Sequence, residues 1–133
     1  MSINGITFMN NATGISVTGG TAASFEDDGL EVKNGIHVVD QSVATKTERP
    51  HATFKSKGFA LQPDGSYSKG RRDFNYTRPK TLASGVTSFQ VCRGSLEIHP
   101  EMTDAEVLDL RLMFCQCIMD GELDNYFNNG SVK

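Results

Sequence analysis

Thr53, Lys55 and Lys57 are spaced by two, and so are Lys69, Arg71, Asp73 and Asn75. Side chains at i, i+2 and i+4 of a β-strand leave from one face. These residue types at this spacing describe a flat, cationic, hydrogen-bonding surface. Lysine and arginine would contact phosphates, while threonine, serine, asparagine and aspartate could read base edges. Such a surface suits the unstacked bases of RNA loops, although the same pattern also fits a charged sheet face that meets only solvent. If Phe54 points inward on one strand, and Phe74 and Tyr76 on the next, then Thr53, Lys55 and Lys57 point outward together with Arg71, Asp73, Asn75 and Thr77. On the last strand, burial of Leu96 and Ile98 adds Arg93, Ser95 and Glu97 to that face. Tyr67 is a candidate for stacking on a base, and packing would explain it equally well.

The charge distribution agrees with this face. Ten of the 13 basic residues lie between Lys46 and Arg93, although the formal net charge is −3. Residues 1–45 carry one basic and five acidic side chains, residues 46–98 ten and four, and residues 99–133 two and seven. Contact with a polyanion depends on the local potential, so the acidic average does not exclude it.

Other chemistries find little support. His37, His51 and His99 are scattered, with no HExxH, P-loop or Ser/His/Asp pattern, so neither an enzyme nor a cofactor is indicated. Glu26-Asp27-Asp28 lacks EF-hand spacing and reads as a solvated loop rather than a cation site. Cys92, Cys115 and Cys117 are few and odd in number, so they read as small buried hydrophobes, not as a disulfide framework. Cys115 and Cys117 on a helix would point apart, and no metal site is expected. There is no apolar run near ~18 residues, and no membrane span is expected. Met1-Ser2-Ile3-Asn4-Gly5 does not open a signal peptide, which makes a cytosolic origin the default.

The elements that must position the basic residues follow from turns and periodicity. With 38% hydrophobic and 22% charged residues in 133, the chain fits a single globular domain better than a disordered segment. Ile6–Met9 and Gly14–Thr18 flank Asn10-Asn11-Ala12-Thr13 as an N-terminal hairpin within residues 1–20. A sheet of about five strands is expected over residues 30–99. Leu30–Lys33 and Ile36–Asp40 are joined by a type I′ turn at Asn34-Gly35. His51–Leu61 and Ser66–Thr77 are joined at Pro63-Asp64-Gly65. Arg78, Pro79, Lys80, Thr81, Leu82, Ala83, Ser84 and Gly85 form a loop, and Val86–His99 is the last strand, with a bulge near Gly94.

Helices occupy residues 103–129. Thr103-Asp104-Ala105-Glu106 is a capping box, and Asp120-Gly121 closes the first helix before a short second one over Glu122–Asn129. Val107, Leu108, Leu110, Leu112, Phe114 and Ile118 are among apolar residues that cover most of the first helix's circumference. One sheet covers one side of a helix, so a partner subunit is the natural second cover.

In this order the elements resemble those of the coat proteins of single-stranded RNA bacteriophages, the levivirus group. The resemblance rests on Asn34-Gly35 before a strand, Thr77-Arg78-Pro79 before a Gly-containing loop, and Leu96-Glu97-Ile98-His99-Pro100 ending a long strand. It continues with Thr103-Asp104 opening a helix that closes at Met119-Asp120-Gly121. The resemblance implies an α+β fold whose sheets pair edge to edge in a homodimer, with the C-terminal helices lying on the partner's sheet. It further implies dimers assembling into an icosahedral shell in the bacterial host cytoplasm, with residues 78–85 as an inter-dimer loop. The inner face would hold genomic single-stranded RNA through Thr53, Lys55, Lys57, Arg71, Asp73, Asn75, Arg93, Ser95 and Glu97. Recognition of an operator hairpin, with translational repression, belongs to the same implication. A small dimeric RNA-binding regulator that never assembles is the alternative.

Overall fold

The computed structural model describes residues 14–15 and 18–131. The expected N-terminal hairpin lies largely outside them. Two compact units divide the chain, one of them Gly20–Pro100 and the other containing Glu101–Lys133. In the first unit, five antiparallel strands form one sheet in chain order. They are β1 (Phe25–Asp27), β2 (Gly35–Asp40), β3 (His51–Lys57), β4 (Gly70–Thr81) and β5 (Thr87–Ile98). The second unit carries α1 (Asp104–Met119), a 3₁₀ turn at Gly121–Leu123, and α2 (Asp124–Asn129). The class is α+β, as expected.

The first strand is not the expected one. Val32 makes only an isolated bridge to Gly35, and β1 instead comes from the acidic stretch at Phe25–Asp27. Asn34 alone takes a left-handed φ, 57°, so the turn is not type I′. Gly35 already heads β2 opposite Lys55, and a Cβ there would run into the Phe54 carbonyl. Close approach of two backbones, rather than turn geometry, requires this glycine.

The hairpin between β3 and β4 is longer than its turn signal indicated. β3 stops at Lys57 and β4 begins at Gly70, while Leu61 and Tyr67 make an isolated bridge near the Pro63-Asp64-Gly65 turn. β4 then runs through Arg78, Pro79, Lys80 and Thr81, which were expected to be loop. The register explains how a proline is accommodated. β3 reaches only His51 opposite Thr77, so at Pro79 the strand has a strand neighbour on one side only, Phe89 of β5. The loop shrinks to the tip, where Leu82 N–H donates to the Val86 carbonyl (2.8 Å) and Gly85 takes φ 85°.

The pairing of β4 with β5 is uninterrupted from Gly70 opposite Ile98 to Thr81 opposite Thr87, so the bulge expected near Gly94 is absent. Leu96 and Ile98 share a face with Phe74 and Tyr76, while Phe89 and Val91 stand on the opposite, polar face, 59% and 43% exposed. On the apolar face Ile36, Phe54 and Tyr76 are exposed, and among the described sheet residues only Ala52 is a buried hydrophobe. Cys92 and Cys115 are exposed and Cys117 is half-buried, all free, so the expected burial of the cysteines does not hold. Cys92 sits opposite Tyr76 on the apolar face.

In the second unit the capping box forms as expected. Thr103 Oγ1 accepts from the Glu106 N–H (3.3 Å), and Glu106 Oε2 accepts from the Thr103 N–H (2.9 Å). α1 ends at Asp120, whose carboxylate accepts the Glu122 N–H (2.8 Å) and caps the following turn. Gly121 therefore supplies no left-handed cap; that role falls to Gly130, φ 71°, after α2.

Candidate nucleic-acid interface

Alternation along paired strands places directly opposed residues on the same face. Four rows result on the polar face. Lys57 lies opposite Arg71, which lies opposite Glu97; then Lys55, Asp73 and Ser95; then Thr53, Asn75 and Arg93; then His51, Thr77 and Val91. Gly35, His37 and Val39 extend the last three rows onto β2. All nine sequence-predicted candidates thus share one face, in three consecutive rows of three. Seven of them line an open depression of about 480 Å³: Thr53, Lys55, Arg71, Asp73, Asn75, Arg93 and Ser95, with Phe74 and Gly94 at its floor. Adjacent strands are ~4.8 Å apart, so the polar groups form a regular grid on the scale of successive nucleotides.

Three other basic side chains of the strands do not join them. Arg72, Arg78 and Lys80 have the opposite parity and share the face of Tyr76. Arg72 Nη1 donates to the Lys57 carbonyl (3.0 Å) and the Arg71 carbonyl (3.2 Å), tying the strand ends. Lys69 stands just before β4, and Tyr67 lies in the hairpin beyond Lys57 and Arg71, bridged to Leu61.

Within the grid, Arg71 Nε donates to Asp73 Oδ1 at 2.7 Å. This bond, with the Ser95 hydroxyl as second donor, holds the Asp73 carboxyl below the usual carboxylate range. Asp73 in turn raises Arg71, and the Glu97 charge adds to that effect. Lys55, Lys57 and Arg93 form no salt bridge among the described residues. Their charge is available to an outside anion.

One cluster escaped the sequence reading. His37 and His51, far apart in the sequence, lie in adjacent rows with ring centroids 5.2 Å apart. Asp28, from the bend after β1, reaches His37 Nδ1 with Oδ2 at 2.9 Å. Asp28 is held below its usual range, chiefly by His37 and then by the Leu30 N–H. The strand parity of His37 and His51 was legible, but not the register that joins them. No group of His, Cys, Asp and Glu suited to a metal ion occurs among the described residues.

The expected partner-facing residues lie on α1. Leu108, Leu110 and Phe114 are exposed, Val107 and Ile118 half-buried, and Leu112 buried in the single chain, so Leu112 has little surface left for a partner.

The whole chain is similar to a solved virus-like particle of bacteriophage GQ-907, at 36% identity and a TM-score of 0.91, covering 99% of this chain and 100% of that one. The fold is also that of the virus-like particle of bacteriophage AVE019, at 10% identity, TM-score 0.69, and 87% and 92% coverage. A third such fold is the virus-like particle of Beihai levi-like virus 21, at 12% identity, TM-score 0.51, and 85% and 97% coverage. Neither a protein-family model nor a curated protein matches the sequence.

Proposed function

This chain belongs to the levivirus-type coat proteins of single-stranded RNA bacteriophages, and on that premise we propose that it dimerises and holds RNA on the polar face of its sheet. It is a structural protein of the virion, and it assembles into a capsid. The chain acts as one coat-protein domain, with assembly in the bacterial host cytoplasm around single-stranded RNA.

The observation that carries the RNA reading is the grid itself. Lys55, Lys57, Arg71 and Arg93 share one face with the hydroxyl and amide groups of Thr53, Asn75 and Ser95. Cations fix phosphates while the neutral groups between them meet base edges and sugars.

The dimer reading rests on the opposite face and on α1. Ile36, Phe54 and Tyr76 on the sheet, and Leu108, Leu110 and Phe114 on the helix, leave apolar surface exposed in the single chain. Fully burying each such side chain would contribute about 1.5–3 kcal/mol. Helices of one protomer laid on the sheet of its partner would cover both. Residues 78–85 then reach neighbouring dimers as a stiff ribbon through Thr81, with only the tip as loop.

The test replaces Lys55, Lys57 and Arg71 together by alanine and measures RNA per particle after electron microscopy has confirmed closed shells. A graded loss of RNA that deepens with salt is expected. Particles with unchanged RNA content would rule out the face.

A further inference from the structure

We propose that Asp28, His37 and His51 form an acid-responsive extension of the RNA face, in which protonation of the two imidazoles strengthens its hold on phosphate. The inference rests on the RNA-face reading above.

The geometry is a chain of three groups. The Asp28 carboxylate meets His37 at 2.9 Å, and the His37 ring meets that of His51 at a centroid distance of 5.2 Å with a 45° tilt. The bend that carries Asp28 is fixed by its own backbone, with Gly29 N–H donating to Asp27 (2.8 Å) and Leu30 N–H to Asp28 (3.1 Å). His37 begins the row that continues through Thr53 and Asn75 to Arg93, so the pair adjoins the proposed phosphate contacts. His51 Nδ1 stands 3.5 Å from the Arg49 carbonyl.

Charge decides why these rings matter. The groups that face the pair are Glu26 from β1, Asp28 from the bend, Lys55 from β3, Asp73 from β4 and Arg93 from β5. Lys57, Arg71 and Glu97 lie further along the same face, so four cations stand with four carboxylates, and Glu48, which accepts from the Thr81 hydroxyl at 3.0 Å, adds a fifth carboxylate at its edge. At neutral pH these groups carry a slight formal excess of negative charge. Imidazole is the side chain that ordinarily titrates between pH 5 and 8. Two added protons would make the face net positive, and the Asp28 carboxylate lies against one of the two rings that would take them.

The experiment measures the affinity of the full chain for fluorescent oligouridylate at about pH 7.5 and about pH 5.5, at constant salt near about 0.1 M. Two further phosphate contacts at that salt correspond to a gain in affinity of up to about 25-fold on acidification. The His37→Gln/His51→Gln double variant should lose that gain. Because His37→Gln also removes the Asp28 contact, His51→Gln alone provides the second reading and should lose part of it. A wild-type affinity that is flat with pH, or a gain kept in full by both variants, would overturn the extension. Lys55→Ala/Lys57→Ala separates the two layers. If it weakens binding at both pH values while the wild type is flat, only the histidine inference fails; if it changes binding at neither, the RNA face itself fails.

Discussion

The ring of Phe74 occupies the place where a side chain at Gly94, its cross-strand partner, would stand. The glycine therefore lets β5 run straight beneath an aromatic ring without a bulge. Gly94→Ala forces that ring to move, at a cost of about 1–3 kcal/mol. In a Phe74→Leu background the obstacle is shorter, so the added cost should fall. A double-mutant cycle from urea unfolding would show favourable coupling of about 1 kcal/mol or more. Simple additivity would mean that the ring is not what excludes the side chain.

Asp73 neutralises part of the proposed RNA face through its bond to Arg71. Both side chains are well exposed, 42% and 53%, so the pair contributes little to stability. The sign follows from the depressed Asp73 carboxyl. Its contribution is present above the unfolded value of about 3.9 and is lost as pH falls through the lower folded value. Any difference in urea midpoint between wild type and Asp73→Asn should appear at pH 5–7 and close below about pH 4. RNA affinity of Asp73→Asn at neutral pH should rise, with a steeper dependence on salt, because the face loses a negative charge and Arg71 its ionic partner.

The faces of the sheet were legible because alternation is a local rule: one inward phenylalanine on each of β3 and β4 was enough to sort their side chains. What was not legible came from pairing. A bulge near Gly94 would put Phe89 and Val91 on the same face as Leu96 and Ile98, whereas the continuous register leaves them on the polar face. Pro79 read as a strand breaker, because the sequence does not reveal that β3 has already ended beside it. His37 and His51 read as isolated for the same reason, since only the β2–β3 register places them in neighbouring rows. The helices were more fully legible, because the Thr103–Glu106 cap depends on residues three apart.

That cap offers a direct stability test. Thr103→Ala removes the hydroxyl that accepts the Glu106 N–H, and should cost about 1 kcal/mol. Thr103→Ser keeps an acceptor and should retain most of the stability. Urea midpoints of the three proteins, measured on the same assembly state, decide it; equal midpoints for alanine and serine would mean that the box contributes nothing.

The apolar residues of α1 give the sharpest test of the proposed dimer. Leu108 and Leu110 are both 42% exposed in the single chain, so a charge at either position costs little within the protomer. In a dimer whose helices lie on the partner's sheet, the same charge would be buried without a counter-ion. Such burial costs several kcal/mol, of the order of ~3–5, enough to weaken association by two orders of magnitude or more. Leu108→Glu/Leu110→Glu should therefore keep its helical circular dichroism yet sediment as a monomer and form no particles. A glutamate at Val107 or Ile118, half-buried already, should instead destabilise the protomer itself. Normal particles from the double variant would place the partner contact elsewhere and leave the exposed leucines without a role in assembly.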